Sequence, residues 1–183
     1  MLLSESVNQG VLPKLEKPLT ILVLCTGNSA RSIMAEALFD HLGKPWIRVV
    51  SAGSHPVGRV NPFAIEQISA HLNDDGVAYR SKSWDQFAQA HSDRPIDVVL
   101  TVCSNAADEP PCPVFPGEAR RVHWEFADPA AVSGNPEEIR AAFSATFLEM
   151  RTRITSLMEL PLERLSKSQV ADALRALSER GEQ

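Results

Sequence analysis

Thr20-Ile21-Leu22-Val23-Leu24-Cys25-Thr26-Gly27-Asn28-Ser29-Ala30-Arg31-Ser32 joins a short apolar run to a polar, glycine-containing loop and the start of an amphipathic segment. The apolar run reads as a buried strand over 20–25. Met34, Ala37, Leu38 and Leu42 then recur at helical spacing and predict a helix over 31–43 with one core face. The loop therefore lies at a helix N-terminus. Backbone N–H groups there lack intrahelical partners, and the helix dipole adds positive potential, so a tetrahedral oxyanion is stabilised by the loop amides of Thr26, Gly27, Asn28, Ser29, Ala30 and Arg31. The Arg31 guanidinium adds a planar fork for two anion oxygens. Cys25 sits at the base of this cradle. A free cysteine titrates near about 8.5, and one at a helix N-terminus beside an arginine falls to about 3.5–7.5. Cys25 is therefore expected to be a thiolate at neutral pH, with the Ser32 hydroxyl as a further donor to its sulfur. Asn28 is suited to a left-handed backbone that holds the loop's shape.

Working outward, strands are predicted at 20–25, 47–51, 97–102 and 120–125, and helices at 31–43, 61–74, 84–90 and 136–158. Strands alternating with helices imply right-handed crossovers between parallel strands. The expected fold is a small doubly wound α/β domain: a four-stranded parallel sheet with helices on both faces. Asn61-Pro62 and Asn135-Pro136 each place a capping side chain before a proline at the first helical position, and Glu137 and Glu138 suit the first turn of the second helix. Ile139, Phe143, Phe147, Met150, Ile154 and Leu157 form a long apolar stripe for packing against the sheet. Residues 1–18, with Gly10, Pro13 and Pro18 and no sustained period, read as a flexible leader, and 19–160 as the catalytic domain. In the extension 161–183, Ser166 and Gln169 form a capping box, Leu165 and Val170 a hydrophobic staple, and Val170, Leu174 and Leu177 a narrow apolar face. That face suits packing on the domain or a homodimer contact.

The chain has 183 residues, 44% of them hydrophobic and 22% charged, which suits one globular domain. A net charge of -5 argues against nucleic acid and anionic membranes as partners, so the oxyanion site is a local positive island. No apolar run approaches the ~20 residues that span a bilayer, and Met1-Leu2-Leu3-Ser4-Glu5 has no basic start of a signal peptide, so a cytoplasmic location is expected. Three cysteines in a reducing compartment point to catalytic or transient pairing rather than structural bridges. His41, His55, His71 and His91 show no metal-ligand spacing and read as surface residues, while His123 and Trp124 read as packing at a strand end.

C-x5-R-S after a first strand resembles the low-molecular-weight protein tyrosine phosphatase superfamily, and the spelling Cys25-Thr26-Gly27-Asn28-Ser29-Ala30-Arg31-Ser32 is similar to that of its arsenate reductase branch. Ser51-Ala52-Gly53, Asp128-Pro129 and the pair Cys103 and Cys112 match further parts of the pattern, over roughly Leu19 to Met158. The resemblance implies arsenate as substrate, with phosphate or sulfate as mimics, and a cysteine relay. Cys25 attacks arsenate while Asp128 protonates the leaving hydroxyl; Cys103 attacks Cys25 and arsenite departs; Cys112 attacks Cys103. No tightly bound cofactor is implied, and thioredoxin or glutathione with glutaredoxin reduces the final disulfide. Asp128-Pro129 also reads as a turn start. In open parallel sheets ligands bind outside the carboxyl ends of strands, where Cys25 and Cys103 both lie, and neighbouring strands about 4.8 Å apart fall within disulfide reach. The segment between Cys103 and Cys112 is longer than the family's, and holds Pro110-Pro111. By the same resemblance Asn28, Glu36, Ser51 and Asp85 match positions that bind potassium in some reductases. Two rivals remain at this stage: a phosphotyrosine or small phosphoester phosphatase, and a non-catalytic anion- or redox-responsive binding protein. Against the phosphatase stand Ala130-Ala131-Val132, which lack the aromatic residues that flank an aryl ring, and alanine at position 30, where those phosphatases carry a second cysteine.

Overall fold

Leu19 to Cys25 form β1, an inner strand of a parallel sheet whose order is β2 (Ile47–Gly53), β1, β3 (Val98–Thr101), β4 (Arg120–His123). These elements come from a computed structural model, which describes residues 18–88, 95–104 and 119–179. Parallel neighbours need crossovers. α1 (Arg31–Leu42) links β1 to β2, while α2 (Pro62–Leu72) and α3 (Asp85–Ala88) lie between β2 and β3. α4 (Pro136–Met158) and α5 (Lys167–Glu179) follow the sheet. The expected doubly wound α/β fold is the one that forms.

Both faces of β1 are buried, so its side chains are apolar on both and no polar alternation appears in the sequence. Ile21, Val23 and Cys25 enter the larger core with α1, α4 and α5, and Leu22 and Leu24 enter the smaller one with Val99, Trp84 and Phe87. The α4 stripe is a core stripe: Phe143, Phe147, Met150, Ile154 and Leu157 are fully buried and Ile139 packs at its edge. The predicted caps close as read. Asn61 Oδ1 accepts from Phe63 N–H at 2.9 Å. Asn135 Oδ1 accepts from the N–H groups of Glu137 and Glu138, while Asn135 N–H donates back to Glu138 Oε2.

Four details depart from the sequence reading. β2 runs on to Gly53, whose backbone pairs with the 82–84 segment through Gly53 N–H to Lys82 O at 2.8 Å and Trp84 N–H to Gly53 O at 3.0 Å. β4 stops at His123 because Trp124 and Phe126 turn into the core. His71 is only half-exposed; its ring stacks on Phe147 with centroids 5.1 Å apart. α5 spends its apolar face within the chain, where Val170, Ala171 and Leu174 are fully buried and Trp124 Nε1–H donates to Leu174 O at 2.8 Å. The face read as a homodimer contact is thus already covered. The Ser166–Gln169 capping box forms in both directions. Among the described residues, no helix is long and apolar enough to cross a membrane. Residues 1–17, His91 and Cys112 lie outside the described residues.

Candidate active site

Cys25 ends β1, and the loop that follows is shaped from outside. The carbonyls of Cys25, Thr26, Gly27 and Ser29 accept hydrogen bonds from the N–H groups of Ser54, His55, Val57 and Asn61, at 3.3, 2.9, 3.0 and 2.9 Å. A trans peptide points its N–H opposite to its C=O. The N–H groups of Thr26, Gly27, Asn28 and Ala30 are therefore turned away from that outer segment, and the Thr26 N–H acts on the Cys25 sulfur to favour its charged form. The first turn of α1 has no capping side chain and no acidic residue, so its amides and dipole remain directed at the loop.

Asn28 anchors the loop from below. It is fully buried with φ +44°, the left-handed conformation expected of it. Its Nδ2 donates to Ser32 Oγ at 2.9 Å and Ser51 Oγ at 2.8 Å, and its Oδ1 accepts from Lys82 N–H at 2.7 Å. Gly53 presses on the same loop: a Cβ there would stand 2.4 Å from Thr26 O and 3.0 Å from Asn28 N, so only glycine fits. Asn28→Ala will leave the half-buried Lys82 N–H without its partner, remove the donor to Ser32 and Ser51, and place alanine at positive φ. The expected loss is about 3 kcal/mol, a fall of roughly 6–12 °C in thermal midpoint by calorimetry.

Arg31 is held by the loop after β4. Its Nη1–H donates to Phe126 O at 3.0 Å and its Nη2 pairs with Asp128 Oδ2 at 3.1 Å, which uses two of its five donors. Asp128 also caps the short 3-10 turn at Pro129–Ala131, Oδ1 accepting from Ala130 N–H at 3.1 Å, so the turn-start reading and the position beside the cradle hold together. Ser32 Oγ is engaged with Asn28 and makes no hydrogen bond to Cys25, contrary to the role read for it.

β3 lies directly beside β1, with Leu24 opposite Thr101, and this brings Cys103 to Cys25. Both are buried and free of any disulfide. Val102 N–H donates to Leu24 O at 2.9 Å, one residue before each cysteine, and Thr26 Oγ1 lies 3.8 Å from Cys103 Sγ. The second sulfur changes the titration. The hydrogen bond to Cys103, then burial, then the charge of Cys103 push the Cys25 thiol up, while Arg31 and the Thr26 N–H pull it down without reversing the shift. The depressed value read from the loop alone is thus corrected. A charge on Cys103 beside Cys25 in a low-dielectric site repels a second one, which is why the neighbour raises the Cys25 thiol.

Residues 20–171 match the family described as low molecular weight phosphotyrosine protein phosphatase. The chain belongs to that family. Within it, the chain is 38% identical over 141 residues to an arsenate reductase of Bacillus licheniformis, covering 76% of this chain and 95% of the relative. A solved arsenate reductase in its phosphate-binding state superposes with a TM-score of 0.59 at 27% identity, covering 77% of this chain and 97% of that one. A thioredoxin-dependent arsenate reductase of Corynebacterium glutamicum gives a TM-score of 0.51 at 25% identity, covering 77% of this chain and 64% of that one.

The low-molecular-weight phosphatase frame also tests the potassium set. Asn28, Ser51 and Glu36 do meet: Ser51 Oγ–H donates to Glu36 Oε2 and receives from Asn28. Asp85 does not join them; its carboxylate accepts from Ser83 Oγ at 2.9 Å. The group does not fit an alkali cation. Asn28 turns its NH2 donor toward Ser51, its carbonyl is spent on Lys82 N–H, and the Lys82 ammonium already lies 3.4 Å from Glu36 Oε2 and 3.5 Å from Oε1. Among the described residues no cluster of His, Cys, Asp or Glu is arranged to hold a metal ion.

Lys82, Gly53's close approach and the Phe126 carbonyl were not read from sequence. Lys82 stands between two serines in a stretch without periodicity, and nothing local marks it. A cavity of about 440 Å³ lies behind the 124–128 loop, lined by His123, Glu125, Phe126, Arg153 and Arg175 among others. Cys25 and Arg31 are not in its walls, and the reactive groups mark the cradle rather than this cavity as the site.

Proposed function

We propose that this chain reduces arsenate to arsenite by passing electrons from Cys25, Cys103 and Cys112. The observation that carries the reading is the placement of two buried, free cysteines, Cys25 and Cys103, at the carboxyl ends of adjacent strands at the base of an amide-lined loop with Arg31 at its mouth. The loop amides and Arg31 bind the oxyanion, and Cys25, whose thiol Cys103 and burial hold protonated in the resting site, passes its proton to a bound oxyanion oxygen as its sulfur attacks. A sulfur–arsenic bond forms, an arsenic–oxygen bond breaks, and Asp128 supplies the proton that turns the leaving oxygen into water. Cys103 then attacks the Cys25 sulfur: the sulfur–sulfur bond forms, the sulfur–arsenic bond breaks, and its electron pair stays on arsenic, which leaves as arsenite. Cys112 attacks Cys103, freeing Cys25 and leaving a Cys103–Cys112 disulfide. Phosphate fits the same loop, but phosphorus does not accept the pair, so discrimination lies in the second step. A phosphatase would leave the buried Cys103 without a task.

An intramolecular disulfide is the substrate of a dithiol donor, and the likeness to the thioredoxin-dependent reductase of Corynebacterium glutamicum supports the same donor class here. With thioredoxin, thioredoxin reductase and NADPH, purified protein will release arsenite over many turnovers. With glutathione and glutaredoxin as the sole source it will not. Arsenite production in neither system would end the reductase reading, and production only with glutaredoxin would replace the donor.

A further inference from the structure

We infer that the Lys82 ammonium is the resident cation beneath the oxyanion loop, so that the loop keeps its shape without potassium. Lys82 reaches the loop twice. Its N–H donates to Asn28 Oδ1 at 2.7 Å, and its side chain lies within 3.4–3.5 Å of both Glu36 oxygens, with only 21% of the lysine side chain and 12% of the glutamate side chain exposed. Between these contacts runs one continuous chain, Asn28 to Ser51 to Glu36, so a single residue closes a ring of hydrogen bonds under the loop. Lys82 is itself fixed by the sheet, because its carbonyl accepts from Gly53 N–H at 2.8 Å and the next residue bridges to Gly53.

Charge accounts for the arrangement. Burial pushes the Glu36 carboxyl up, and Lys82 is the foremost influence pulling it down, followed by Ser51. An ionised carboxylate at this depth needs a countercharge, and the ammonium supplies it with no vacancy for a second cation. An alkali ion needs several oxygen ligands, and here the Asn28 and Ser51 oxygens are already committed. Lys82 therefore acts as a positioning residue for the loop, whichever oxyanion the loop receives.

Thermal unfolding of the full chain at equal ionic strength tests this without reference to turnover. The wild-type midpoint will be the same in potassium, sodium and choline chloride. Lys82→Met will lower it by roughly 5 °C or more in choline chloride, because Glu36 loses its partner. The double variant Glu36→Gln with Lys82→Met will recover part of that loss, the mark of a charge pair rather than of lost packing. A potassium-specific rise of several degrees in the wild type would overturn the inference. So would a Lys82→Met midpoint equal to wild type, or a double variant whose loss is the sum of the two single losses.

Discussion

Cys25→Ser will release no arsenite from arsenate and hydrolyse no phosphoester, with turnover reduced by at least about four orders of magnitude, the scale on which nucleophile deletions act. Serine is nearly the size of cysteine, and the position is buried against the end of β1, so the fold should persist; far-ultraviolet circular dichroism and the thermal midpoint check it. The amides of the loop and Arg31 are untouched, so inorganic phosphate will still bind. The lost group is the nucleophilic sulfur: Cys103 and burial hold its proton on and Arg31 eases it off, whereas a serine hydroxyl does not ionise near neutral pH at all. Without sulfur there is neither a sulfur–arsenic bond nor a disulfide to follow it. Undiminished phosphoester hydrolysis in Cys25→Ser would remove position 25 from the chemistry.

Cys103→Ser separates the two steps. Arsenite release will fall to background, because nothing attacks the Cys25 sulfur and the electron pair never reaches arsenic, while slow hydrolysis of a phosphoester such as p-nitrophenyl phosphate will continue. The same variant will shift the titration of Cys25 downward. Cys103 is the source of the first and third causes that push the thiol up, and its removal leaves burial opposed by Arg31 and the Thr26 N–H. Serine carries no charge and can donate to a thiolate. Alkylation of Cys25 by iodoacetamide will therefore become faster at pH 7 than in the wild type, and the midpoint of its rate against pH will move to lower pH. An unchanged or raised midpoint would show that the two sulfurs are not coupled in solution. Arsenite turnover equal to wild type would remove Cys103 from the relay.

What the chain discloses in one dimension is local. The strand–loop–helix passage from Thr20 to Ser32 could be read because burial on both faces of β1 and the one-sided face of α1 leave different periods in adjacent residues. The caps at Asn61 and Asn135, each followed by proline, could be read because their donors lie within three residues. What could not be read depends on partners brought in by the sheet. The thiolate expected at Cys25 followed from its neighbours in sequence, and the sulfur that opposes it arrives on β3. Lys82 reaches Glu36 only because β2 continues to Gly53 and pairs with the segment before α3. The α5 face, two ways open in sequence, is settled by Trp124, whose indole needs the Leu174 carbonyl. Periodicity says that a face is covered, and three-dimensional pairing says by what.

The most direct measurement is a single turnover with the Cys112→Ser variant, unfolded in acid and mapped by peptide mass spectrometry. One equivalent of arsenate and no external reductant should yield one arsenite per chain and a bridge between Cys25 and Cys103, trapped because no third thiol is present to resolve it. Arsenite released while both cysteines remain reduced, or a bridged pair that forms equally fast with phosphate in place of arsenate, would contradict the electron transfer at the centre of this account.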